Sequence, residues 1–156
     1  STMTSSGIHR KPPPRVRQTS VNSCWAAALE SWSRADSRIP TVTEAQMLHD
    51  FNPDGKLEGG INGDTVLDVI SQKFGLQFRI CTAVDQLQKH LLDHLPHSHI
   101  FCTIRLAENL SHALLIYRLS GPNLTTVSFM NPSKGFYTYE ALKDFGDHAP
   151  FALMWK

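Results

Sequence analysis

The chain has 156 residues, of which 41% are hydrophobic and 19% are charged, and its formal net charge at pH 7 is +1. This composition is typical of a globular protein with one domain and a proper hydrophobic core. The small net charge gives no reason to expect a nucleic-acid partner, and no apolar run is long enough to span a membrane. The three cysteines are an odd and sparse set for a disulfide framework, which favours a reducing compartment.

The first half of the chain has helical periodicity after a basic, proline-rich start. Residues 1–17 are expected to form an arm or linker, and residues 18–156 a single domain. Apolar spacing and capping residues predict three helices in this half and a fourth in the second half. They are expected at residues 23–35, at 43–51, from Asn62 or Asp64 to Phe74, and at 85–95.

From residue 76 onward the apolar residues favour strands, apart from the fourth helix at 85–95. Strands are predicted at Leu76–Cys81, Ile100–Leu106, Ala113–Leu119, Leu124–Met130, Phe136–Tyr139 and Phe151–Trp155. Helices dominate the first half and strands the second. This segregation predicts an α+β fold in which N-terminal helices pack on a C-terminal antiparallel sheet.

The segment around Cys24 is the most informative part of the sequence. A polar, turn-prone stretch leads into a run of helix formers, and Asn22 or Ser23 is suited to cap the helix. Cys24 therefore falls in the first helical turn, where free N–H groups and the helix dipole favour a thiolate. A nearby histidine would lower the pKa of this thiol further. Cys81 and Cys102 fall in strands and are expected to be buried structural thiols.

Eight histidines are candidates for the partner of Cys24. Four of them lie between residues 90 and 99, and His90 and His94 have the i, i+4 spacing of a metal-binding pair. No cysteine or carboxylate accompanies them in a recognised ligand pattern, so we expect surface histidines and no metal. His112 differs because it opens the strand Ala113–Tyr117, which is apolar on both faces and is expected to be central.

A hairpin predicts the neighbour of His112. Ser120–Asn123 is a turn sequence, and strands on either side of it should pair antiparallel. A turn centred between Gly121 and Pro122 would place His112 opposite Asn131. The side-chain oxygen of Asn131 could then accept a hydrogen bond from one ring nitrogen of His112 and orient the ring for Cys24.

These residues, in this order, resemble the papain-like cysteine peptidases. The resemblance rests on Gln18, the Cys24-Trp25 pair at a helix start, His112 at a strand start, and Asn131-Pro132. It implies that Cys24 is the nucleophile, His112 the general base and acid, and Asn131 the orienting residue. It also implies that Gln18 and the backbone N–H of Cys24 stabilise the oxyanion.

The short spacing resembles the compact bacterial branch of this family. His112 and Asn131 follow Cys24 by 88 and 107 residues, whereas papain has gaps of about 130–150. Double-glycine leader peptidase domains and injected effector proteases are the closer analogues. Their usual Asp before the proline is Asn131 in this chain, so the orienting hydrogen bond is kept and the negative charge is lost.

The expected function is therefore a cysteine endopeptidase that cleaves a protein substrate, as a bacterial effector or toxin domain. Glutamine deamidation or acyl transfer by the same triad is an alternative, and a catalytically dead module that binds a partner in its cleft is another. The expected partners are a protein substrate and a cognate inhibitor or immunity protein, without a cofactor. With no signal peptide recognised, the resemblance implies delivery by a specialised secretion system into a target-cell cytoplasm.

Overall fold

The computed structural model describes residues 7–51, 64–108 and 110–156, and the side chains of residues 64–66 lie outside this description. The helices of this part of the chain are α1 Cys24–Ala35, α2 Glu44–Phe51, α3 Asp64–Phe74, α4 Val84–His94 and α5 Leu142–Phe145. The strands are β1 Ile8–His9, β2 Gln77–Cys81, β3 Ile100–Ala107, β4 Leu110–Ser120, β5 Thr126–Asn131, β6 Phe136–Ala141 and β7 Phe151–Trp155. Residues 122–124 and 146–148 form short 3₁₀ turns.

The α+β class predicted from the sequence is confirmed. Each predicted helix and strand is present to within a few residues, although a start at Asn62 lies outside the described residues. The two-residue strand β1 and the one-turn helix α5 were not predicted. Both are too short to show the periodicity on which a sequence prediction depends.

The seven described strands form one antiparallel sheet. Its order is β2-β7-β3-β4-β5-β6, and β1 pairs with the end of β4. The strand that begins near His112 is thus flanked by β3 and β5 in the interior of the sheet. This position agrees with the apolar character of both of its faces.

The sheet separates two hydrophobic clusters. The α1 cluster joins α1, α2 and α3 to one face and includes Ala113, Leu115 and Met130. The α4 cluster joins α4 and α5 to the other face and includes Leu114 and Phe129. Because successive side chains of a strand point to opposite faces, neighbouring residues of β4 belong to different clusters.

The segment before the first helix is part of this folded body from residue 7 onward. Ile8 and Val16 are buried, and β1 is hydrogen-bonded to β4. The carbonyls of Pro13 and Pro14 accept hydrogen bonds from Tyr137 and Ser31. Residues 7–17 are therefore not a solvated arm, because their apolar side chains and proline carbonyls find partners on the sheet and on α1.

The predicted register of the β4–β5 hairpin is wrong. Ser120 pairs with Thr126, and on the far side of a bulge Leu115 pairs with Met130. The connection is a five-residue loop containing a 3₁₀ turn, with Asn123 and Leu124 at positive φ, so the turn is centred on Asn123 rather than between Gly121 and Pro122. Continuing the observed register would place Asn131 opposite Leu114, on the same face as His112 and diagonal to it.

Candidate active site

Cys24 is the first residue of α1. Ser23 occupies the N-cap position, but its side chain makes no capping hydrogen bond and is instead engaged with the backbone of Ser20. The first turn also contains no acidic side chain. The positive end of the helix is therefore left for another negative group.

The thiol of Cys24 lies against the start of β4. The backbone N–H of Ala113 donates to Sγ over 3.4 Å, and only 3% of Cys24 is exposed. Burial raises the pKa of this thiol, and hydrogen bonds from the N–H groups of Ala113, Trp25 and Cys24 itself act in the opposite direction. The sequence-based expectation of a lowered pKa is therefore not met in this structure, because desolvation outweighs the helix terminus.

His112 and Asn131 are in direct contact. Nε2 of the imidazole lies 2.7 Å from Oδ1 of the amide. Burial lowers the pKa of His112, and the hydrogen bond with Asn131 acts in the opposite direction. The imidazole is thus favoured in its neutral form, as is the thiol of Cys24.

Ser133 determines which way the Asn131 amide points. The backbone N–H and the hydroxyl of Ser133 both donate to Oδ1, over 3.1 and 2.9 Å. A backbone N–H can only donate, so the atom that it meets must be the amide oxygen. Nε2 of His112 must then carry the ring hydrogen, and Nδ1 presents a lone pair, as a base for the thiol requires.

Gln18 is tied to the same turn as Asn131. Its backbone N–H donates to the carbonyl of Pro132 over 2.9 Å. Its side-chain Nε2 donates to the carbonyl of Ser20 over 2.8 Å, and Oε1 is buried without a described partner. An amide nitrogen has two hydrogens, so one remains for an oxyanion.

A buried carboxylate anchors the loop that carries Gln18. Thr19 donates to Glu44 from both its N–H and its hydroxyl, over 2.9 and 2.8 Å. The backbone N–H of Glu44 donates in turn to Glu30, which forms an ion pair with Arg34. Sequence reasoning missed Glu44 and Ser133, because their partners are set by the tertiary fold and no local motif marks them.

The thiol and the imidazole are close along the backbone but are not hydrogen-bonded to each other. Over the described residues, Sγ of Cys24 meets the N–H of Ala113, and the imidazole of His112 meets Asn131. Ala113 belongs to the face that packs on α1, and His112 begins the alternation on the opposite face. The structure therefore brings the His112–Asn131 pair together and places the thiol one residue away along β4.

A cleft of about 300 Å³ opens beside the imidazole on the α4 face of the sheet. His112, Asn131 and Ser133 contribute to it, and Cys24 does not line it. Its apolar lining is formed by Ile104, Leu106, Leu114 and Phe129. We refer to this space as the His112 cleft.

The other histidines and cysteines form no metal centre in the described part of the chain. No group of three or more His, Cys, Asp or Glu side chains there is arranged to bind a metal ion. His90 and His94 instead stack with each other, and His94 stacks on Trp155 while His90 packs against it at a tilt. Cys81 and Cys102 are buried and free, and burial raises the pKa of both thiols.

Two comparisons with known proteins do not assign this chain to a family. No protein-family model matches the chain, and a search of curated proteins finds no match. None of the described helices has the length and apolarity needed to cross a membrane.

Proposed function

We propose that the protein is a papain-like cysteine endopeptidase in which Cys24, His112 and Asn131 cleave a peptide bond of a protein substrate. The observation that carries the proposal is the contact of His112 with Asn131. Ser133 orients this amide, which leaves Nδ1 unprotonated, and the thiol at the start of α1 lies against Ala113, the next residue of β4. This combination supplies a nucleophile, a base and an orienting group, the parts that nucleophilic catalysis needs.

The reaction begins from a neutral thiol and a neutral imidazole. As Sγ of Cys24 attacks the substrate carbonyl carbon, its proton passes to Nδ1 of His112 and a C–S bond forms. Hydrogen bonds between catalytic groups often tighten only when substrate binds, so the separation of these groups in the free protein is compatible with this step. The oxygen of the former carbonyl takes the negative charge, and Nε2–H remains bonded to Asn131.

The oxyanion is stabilised by the backbone N–H of Cys24 and by the second hydrogen of the Gln18 side chain. Collapse of the tetrahedral intermediate breaks the C–N bond, and His112 gives the proton from Nδ1 to the leaving amine. A water molecule, deprotonated by the same nitrogen, then hydrolyses the thioester and restores the thiol. The hydrogen bonds of Thr19 to Glu44 hold the loop that carries Gln18, and Nε2 of Gln18 itself donates to the carbonyl of Ser20.

The biological setting follows the resemblance to compact bacterial enzymes. We propose an effector or toxin domain that acts in a target cell, with a cognate immunity protein as inhibitor. Deamidation of glutamine and acyl transfer use the same chemistry up to the thioester. They differ in the substrate bond and in the group that resolves the intermediate.

A thiol-reactive probe tests whether Cys24 is an activated nucleophile. The folded protein is treated with an electrophilic peptide, and the modified residue is identified by mass spectrometry. We expect selective labelling of Cys24, strongly reduced by His112→Ala and unaffected by His94→Ala, a matched loss of an imidazole on α4. Equally slow labelling of all three cysteines would contradict the proposal.

Substrate chemistry is resolved by mass spectrometry of target proteins incubated with wild type and with Cys24→Ala. Proteolysis adds water across a backbone bond and yields two fragments. Deamidation leaves one chain and shifts a side chain by about one dalton. Labelling at Cys24 without either product would leave the partner-binding module as the better interpretation.

A further inference from the structure

We propose that the His112 cleft binds the first substrate residue after the cleaved bond, and that it selects a lysine or arginine at this position. This inference rests on the proposed function, because it assigns the cleft a place in that reaction. It depends on three features of the cleft, namely its position relative to His112 and Cys24, its apolar lining and its charge.

The position of the cleft next to His112 and away from Cys24 indicates which half of the substrate it binds. The acyl half remains bonded to Sγ of Cys24, which packs against Ala113 on the α1 face. The leaving amine must reach Nδ1 of His112 to take its proton. Because the cleft is lined by His112 and not by Cys24, it receives the chain that follows the leaving nitrogen.

The lining of the cleft suits a long aliphatic stem. Ile104, Leu114 and Phe129 are almost completely buried and offer an apolar wall continuous with the α4 cluster. A volume of about 300 Å³ accommodates one large side chain. The four methylenes of a lysine, or the three of an arginine, would lie along this wall.

The charge of the cleft favours a cation at the end of that stem. Of its nine lining residues, Glu140 is the sole carboxylate, and none is lysine or arginine. No ion pair or hydrogen bond of the Glu140 carboxylate is found among the described residues. His148 donates from Nδ1 to the carbonyl of Arg105 over 3.0 Å, so its Nε2 presents a second acceptor.

Peptide binding to a variant that cannot react isolates this inference from catalysis. Isotope-labelled Cys24→Ala protein is titrated with three dipeptide amides headed by lysine, norleucine or glutamate, and the signals of His112, His148 and Phe129 are followed by NMR. Lysine and norleucine share the aliphatic stem and differ in the charged end. We expect the lysine peptide to bind about two- to fivefold more tightly than the norleucine peptide, and the glutamate peptide to bind most weakly.

Charge removal at the cleft supplies the matched comparison. Glu140→Gln in the same background should abolish the preference for lysine over norleucine. Asp144→Asn removes an equal charge from α5, outside the cleft lining, and should preserve the preference. High salt should reduce the preference, because the carboxylate is exposed.

The outcomes separate this inference from the proposed function. Equal affinities for the lysine and norleucine peptides, no binding of the lysine peptide, or shifts confined to other residues would each overturn the specificity. Cleavage by wild-type protein without a basic preference would leave the peptidase standing and remove this inference. Binding of the lysine peptide without any labelling of Cys24 in wild type would remove the peptidase and leave a peptide-binding cleft.

Discussion

Asn131→Asp changes the ionisation of the site while preserving its shape. The new carboxylate keeps an oxygen 2.7 Å from Nε2 of His112 and keeps the two donors of Ser133. It replaces a neutral acceptor by a negative charge next to a buried ring. The imidazolium form of His112 is therefore stabilised relative to the imidazole.

The size of the effect follows from the distance and the burial. An opposite charge within about 4–6 Å shifts a pKa by about 1–3 units, which corresponds to about 1.4–4 kcal/mol. In the natural protein burial lowers the pKa of His112 and raises that of Cys24, so both groups are favoured as neutral species. The same free energy favours transfer of the thiol proton to His112, and the thiolate population at pH 7 should rise by about 10- to 1000-fold.

The assay is the rate at which a small haloacetamide alkylates Cys24 between pH 5 and pH 9, together with an NMR titration of His112. In wild type we expect the rate to rise mainly on the alkaline side. In Asn131→Asp a plateau of fast alkylation should extend below pH 7, and the pKa of His112 should be raised. Asn131→Ala is the control, because it removes the acceptor without adding charge.

Two results would refute this reasoning. If the pKa of His112 rises in Asn131→Asp and alkylation of Cys24 is unchanged, the imidazole does not share a proton with the thiol. If the pKa of His112 itself is unchanged, the contact between Nε2 and the amide oxygen does not exist in solution.

Three further predictions concern residues outside the Cys24, His112 and Asn131 triad. Glu44→Ala removes the acceptor of two hydrogen bonds. We expect the free energy of unfolding, measured with urea, to fall by about 1–3 kcal/mol and the kcat for peptide cleavage to decrease. Glu44→Gln should recover both in part. Gly135→Ala should cost about 1–3 kcal/mol by the same measurement, since the glycine has φ +64° and a new Cβ would lie 2.8 Å from Cβ of Arg17. Gly146→Ala, whose new Cβ meets its nearest atom at 3.6 Å, should cost much less, and equal losses would contradict the argument. Burial lowers the pKa of His99 in the folded protein. As the pH falls below about 6.5, this histidine is therefore protonated in the unfolded protein before it is protonated in the folded one. The stability from this histidine is present above that pH and is lost on acidification; denaturation from pH 8 to pH 5 should show this loss, and His99→Gln should diminish it.

Local patterns predicted the elements of this fold because each helix and strand carries its own periodicity. The helix that begins at Cys24 and the strand that contains His112 were both expected near their observed positions. The hairpin register was not predictable to the residue. A bulge in β4 and a longer turn shifted the pairing near Asn131 by two residues, and no residue in the turn indicates that length. His112 and Asn131 are nevertheless in contact, because they are diagonal neighbours on the same face of the sheet and their side chains can still reach each other.

The charge state of the site depended on burial, which a sequence pattern does not measure. A cysteine at a helix start is expected to have a lowered pKa, yet 3% exposure reverses the direction for Cys24. The orientation of the Asn131 amide likewise depends on Ser133, and the position of the Gln18 loop on Glu44. These residues come together only when the turn after β5 and the start of α2 pack beside α1.

By itself, the sequence determined the α+β class, the helix start at Cys24 and the candidate residues around it, because these features come from spacing and residue type along short stretches of chain. The tertiary structure decided the register of the hairpin, the neutral state of the thiol and imidazole, and the place of residues 7–17 against the sheet. It also created the His112 cleft. Each of these depends on which distant groups exclude water from one another, and that is determined only when the whole chain has packed.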